Sequence, residues 1–102
     1  MSKQQNPKQP PQIQVLAKPD DMKGTYANIM QVNHTPDEFI MDFLMAFAGK
    51  ATLNIRLITS PRHMKAMLHA IADNIKKYET IFGEIKPTEL APNIVIKPSA
   101  QA

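Results

Sequence analysis

Phe39-Ile40-Met41-Asp42-Phe43-Leu44-Met45-Ala46-Phe47 reads as one β-strand with something to bury on both sides. Side chains alternate across a strand, so Phe39, Met41, Phe43, Met45 and Phe47 share one face. Ile40, Leu44 and Ala46 share the other, interrupted only by Asp42. A strand in a small one-layer sheet is half wet. This one predicts cover on both faces.

The flanking residues make it the middle strand. Thr35-Pro36-Asp37-Glu38 has turn chemistry, with Pro36 presetting φ at the second position. A first strand is expected before it, over residues 25–33. Ala48-Gly49-Lys50 makes a second tight connection, and a third strand is expected over 52–59. Pairing Val32 with Met41 and Phe47 with Leu53 gathers Tyr26, Met30, Val32, Leu53, Ile55 and Leu57 with the Phe/Met stripe. The opposite face then holds Ala27, Ile29, Gln31, Asn54, Arg56 and Ile58 with Ile40, Asp42, Leu44 and Ala46.

A helix follows at once. Ser60 is a favourable N-cap and Pro61 fits the first helical position. Gly83 supplies the glycine just past the end, and Ile85 can pack back. Residues 61–82 would span about 33 Å. Met64, Met67, Leu68, Ile71, Ile75, Tyr78 and Phe82 form one stripe, expected on the more apolar sheet face. The fold class is therefore α+β: a three-stranded antiparallel sheet with one long C-terminal helix packed on one face.

That arrangement leaves the second sheet face uncovered, and a core of about 60 residues is marginal alone. A homodimer is expected, with Ile29, Gln31, Ile40, Asp42, Leu44, Arg56 and Ile58 as candidate interface. Asp42 and Arg56 would pair there, because a charge in an apolar strand is costly alone.

Seven of the nine prolines lie outside residues 24–85. Residues 1–22 read as a disordered tail, 23–85 as the core domain and 86–102 as an extended tail. Asn93-Ile94-Val95-Ile96, between Pro92 and Pro98, is a candidate short edge strand. The net charge is +3, yet six cations and six anions balance between Gly24 and Ile85. The excess sits in the tails, so the core is not the basic surface that phosphate binding needs. The chain has no cysteine. It has no long apolar run and no leader-like N-terminus, so a cytoplasmic location without membrane contact is expected.

Several separated motifs match a known family in order: Thr35-Pro36-Asp37-Glu38-Phe39, Asp42-Phe43, Arg56, Ser60-Pro61-Arg62-His63-Met64-Lys65, Asn74-Ile75-Lys76-Lys77-Tyr78-Glu79 and Phe82-Gly83-Glu84-Ile85. They resemble the prokaryotic "domain of unknown function 3467" over about residues 26–85, with both tails outside. The resemblance implies an uncharacterised function and carries over no catalytic residue or ligand. The element order is also similar to that of the SecB export chaperone subunit, a likeness of topology only.

Ser60, Arg62, His63 and Lys65 form a candidate anion site, with cations around free N–H groups at a helix start. Solvated surface charge is the plainer reading of the same residues. His34, His63 and His69 lack metal-site spacing, so no metal is expected, and no cofactor. Ser60 with His63 lacks a third orienting group and the exposing glycine turn, so no catalytic residue is expected and the chain reads as a non-enzyme. The Phe/Met stripe reads as core before it reads as a ligand pocket. The expected function is a homo-oligomeric protein-interaction module, adaptor or chaperone-like, with a protein partner. The alternative is a nucleic-acid binder using the basic tails and outer helix face, which the neutral core disfavours.

Overall fold

The structure, a computed structural model, describes residues 11–88 and 94–99. The chain runs through β1 (Ile29–His34), β2 (Phe39–Phe47), β3 (Lys50–Thr59) and α1 (Pro61–Phe82). The sheet is antiparallel in the order β1-β2-β3, so β2 is central as its two apolar faces require. The N-terminal residues 11–20 are irregular and exposed, and a single 3-10 turn, Asp21–Lys23, precedes the sheet.

Both turns are built as their residues dictate. Thr35 Oγ1 accepts hydrogen bonds from the N–H groups of Asp37 and Glu38, at 3.2 and 3.1 Å, and Thr35 N–H donates to the Glu38 carbonyl. At the second turn Ala48 and Gly49 both have positive φ, 54° and 78°, between the paired Phe47 and Lys50. This is the backbone of a two-residue hairpin whose twist matches the strands. Ala48 holds that conformation against its own Cβ.

The β1–β2 register pairs Val32 with Met41, as expected. The β2–β3 register differs from expectation: Phe47 pairs with Lys50 across a two-residue turn, not with Leu53. Asp42 pairs with Arg56 and Phe43 with Ile55, but Leu44 then pairs with Leu53, leaving Asn54 as an extra residue. This bulge reverses the facing of β3 below it. Leu53 consequently moves from the Phe/Met face to the Leu44 face, beside Ala51. We call the Met30, Val32, Phe39, Met41, Phe43, Ile55 and Leu57 side face A, and the Ile29, Gln31, Ile40, Asp42, Leu44, Ala46, Ala51, Leu53, Arg56 and Ile58 side face B.

Two asparagines replace sheet backbone where β1 has not yet begun. Asn28 donates from Nδ2 to the Ala46 carbonyl at 2.9 Å and accepts from Ala46 N–H at 2.8 Å. Its amide thus extends the ladder by one pair of bonds. Asn54, freed by the bulge, donates from Nδ2 to the Tyr26 carbonyl at 2.8 Å. β1 accordingly starts later than the predicted residue 25, and Tyr26 and Ala27 lie outside the strand.

The helix has the predicted bounds. Ser60 Oγ accepts from His63 N–H at 3.2 Å, Pro61 opens the helix, and Gly83 N–H closes it on the Glu79 carbonyl. Gly83 sits at φ 96°, ψ 170°, a conformation open essentially to glycine alone. Glu79, although placed against the helix dipole, ties down the exit: its Oε2 accepts Ile85 N–H at 2.8 Å.

Candidate functional site

Face A is covered by α1 only in part. Met30, Phe39 and Met41 of the sheet meet Pro61, Met64, Met67, Leu68 and Ile71 of the helix around an open apolar cleft of about 450 Å³. Met41 is buried, and Met64 and Met67 are half-buried. Beyond Ile71 the stripe runs on past the cleft for about 16 Å. Ile75, Tyr78 and Phe82 stay 44%, 50% and 70% exposed. Tyr78 and Phe82 meet with their rings tilted by 43° and their centroids 4.9 Å apart. On the sheet Met30, Val32, Ile55 and Leu57 are also exposed. The sequence places the stripe on the sheet along its whole length; of its residues only Met64 and Met67 become even half-buried there.

Face B carries the ion pair. Asp42 is 1% exposed, and Arg56 approaches it edge-on, Nε to Oδ1 at 2.6 Å and Nη2 to Oδ2 at 3.0 Å. Two parallel charge-assisted bonds are the strongest form of this contact. The hydrogen bond and then the charge of Asp42 raise the Arg56 pKa above its ordinary value. The arginine therefore keeps its proton throughout the neutral range, and its side of the pair is lost as pH rises through that raised value. Gln31, paired with Asp42 from the other side, buries its Oε1 without a partner among the described residues.

The C-terminal segment lies over this face. Ile94, Val95, Ile96 and Lys97 border a cleft of about 310 Å³ with Leu44, Ala51 and Leu53. Ile94 also borders Ile29 and Ala46, and Ile96 to Ser99 border Thr52 and Arg56. Residues 94–96 are not the edge strand expected over 93–96; Asn93 lies outside the described residues. No backbone hydrogen bond joins residues 94–98 to the sheet among the described residues. Pro98 and the neighbouring proline-rich sequence disfavour a ladder, and the apolar surface of face B attracts Ile94 and Ile96 instead.

Of the residues expected at a dimer interface, Asp42 and Leu44 are buried within one chain, and Ile29, Gln31 and Ile40 are half-buried. Arg56 and Ile58 are half exposed. The candidate anion site is sparse. Pro61 has no N–H, and Ser60 takes those of His63 and Met64 through its Oγ and carbonyl. Only Arg62 N–H is left in the first turn. Arg62 and His63 point to solvent, and Lys65 borders the apolar cleft. No cluster of three metal-ligating side chains occurs among the described residues, and no described helix is long and apolar enough to cross a membrane.

A search of curated proteins and a search of solved structures found no match. A family model does match, over residues 1–87, and its description is "Protein of unknown function (DUF3467)". The match reaches further toward the N-terminus than the resemblance over 26–85 implied, and it stops short of the segment on face B. The chain belongs to the DUF3467 family, whose shared part holds the whole sheet, the Asp42–Arg56 pair and the helix.

Proposed function

We propose that the protein is a non-catalytic, self-associating interaction module of the cytoplasm, and that it dimerises through face A and α1. One observation carries this reading: the helix stripe and face A of the sheet both remain largely exposed, and they meet at the apolar cleft that Met30, Leu68 and Ile71 border. Met30, Val32, Ile55 and Leu57 on the sheet and Leu68, Ile71, Ile75, Tyr78 and Phe82 on the helix are each 38–70% exposed. Nine such side chains exceed the ~300–600 Å² of a typical monomer's largest apolar patch, and approach the ~800 Å² per partner of a stable interface. The patch is also self-complementary. The projecting half of α1 can lie on the uncovered half of face A of a second copy, and the same contact recurs by two-fold symmetry.

Face B, where the sequence alone places the dimer contact, has less to offer because the C-terminal segment lies on it. The dimer leaves both outer strands open. β3, ten residues long, is an edge strand among the described residues and offers its outer side for strand addition by a protein partner.

Light scattering on the purified chain tests this, with absorbance at two ultraviolet wavelengths recorded on the same peak. The expected mass is twice the 11.4 kDa of the chain. Ile75→Asp with Phe82→Asp should halve it while leaving circular dichroism unchanged, since both side chains are exposed in the single chain. A monomeric wild-type chain sinks the proposal. Co-eluting nucleic acid would place the tails and outer helix face first instead.

A further inference from the structure

Face B is hollow where Ala46 pairs with Ala51. Two methyl side chains directly opposed leave depth between the cross-strand row Ile29, Leu44 and Leu53 on one side and the Gly49-Lys50 turn on the other. Into this hollow the chain lowers Ile94 and Ile96, both half-buried, while Val95 between them stays 78% exposed. Alternate residues facing the sheet are the signature of an extended segment read side chain by side chain.

The fit is loose. Clefts of about 250, 310 and 690 Å³ remain between the segment and the sheet, and no backbone bond from residues 94–98 to the sheet fixes it among the described residues. Its charge is also wrong. Lys97 borders the same 690 Å³ cleft as Arg56, which is half exposed and whose Nε and Nη2 are engaged by Asp42. The hollow belongs to the family-matched part of the chain, and the segment does not.

We propose that face B is a docking groove for an extended peptide of a partner protein, with two branched apolar residues separated by one position and an acidic residue next. Residues 94–97 occupy it in cis as a weak self-competitor. Ile29, Leu44 and Leu53 receive the apolar side chains, and Arg56 receives the carboxylate through the donors that Asp42 leaves open. A tethered segment competes at an effective concentration of about 1 mM, so it holds off weak ligands and yields to better ones.

The test uses the full chain carrying Ile94→Asp and Ile96→Asp, which empties the groove without touching the sheet. The probe is a fluorescein-labelled synthetic peptide of residues 94–99, read by anisotropy up to millimolar chain. Saturable binding to the variant is expected, at least 10-fold tighter than to the wild-type chain. A second peptide carrying Val, Leu and Glu in place of Ile94, Ile96 and Lys97 should bind several-fold tighter again, and Ala51→Arg in the variant should abolish both. Absence of peptide binding to the variant, or equal binding to variant and wild type, overturns the groove. A Val/Leu/Glu peptide that binds more weakly than the chain's own segment overturns the partner chemistry. Because this face is distinct from α1, the native mass of the variant reports separately on the dimer.

Discussion

The two faces of this sheet solve the same problem differently. Face A is almost wholly apolar, and its cover is a helix that fits only in part, so Ile75, Tyr78 and Phe82 remain exposed. Face B mixes apolar residues with an ion pair, and its cover is a short irregular segment from outside the family-matched part. Met41 on face A and Leu44 on face B are equally buried, 2% and 3% exposed. Equal burial hides unequal means. One residue is sealed by regular structure, the other partly by a segment whose residues 94–98 make no backbone bond to the sheet among the described residues.

The comparison breaks most readily at the ion pair. Arg56→Leu strands the Asp42 carboxylate in a site where it is 1% exposed, and it should lower Tm more than any other single substitution on either face. Asp42→Leu with Arg56→Leu should recover most of that fall, because two apolar neighbours need no partner. A double variant as unstable as Arg56→Leu would show that the pair does more than neutralise itself. The next contrast lies between the buried apolar residues. Met41→Ala and Leu44→Ala should each cost about 2–5 kcal/mol by urea denaturation. In the Ile94→Asp/Ile96→Asp background the cost of Leu44→Ala should shrink, and that of Met41→Ala should not. The smallest effect lies off both faces. Ala48 occupies a left-handed turn position, so Ala48→Asn should stabilise by about 0.5–1 kcal/mol, seen as a higher urea midpoint at unchanged slope.

Much of the site is legible in the residues themselves, and the exceptions share a cause. That Asp42 and Arg56 share a face follows from counting alternation outward from the turns; the expected register sets Asp42 opposite Ile58, and the structure sets it directly opposite Arg56. The bulge leaves no mark of that kind. Asn54 reads as one more alternating residue until its amide finds the Tyr26 carbonyl, which comes from a distant part of the chain. Asn28 is similar, since an asparagine is a poor strand former and its role as ladder extension depends on Ala46 standing opposite. Glu79 looks misplaced on the helix because the N–H group it accepts lies past the helix end.

By itself the sequence determined what is local: strand β2 and its two apolar faces, the Thr35 and Ala48-Gly49 turns, the bounds of α1 between Ser60 and Gly83, and the order of elements. Periodicity, caps and turn geometry act over a few residues, so the chain carries them openly. Only the tertiary structure decided where β3 slips, how far α1 lies on face A, and what covers face B. Those outcomes turn on distant surfaces competing for the same apolar area, and such competition has no period to read.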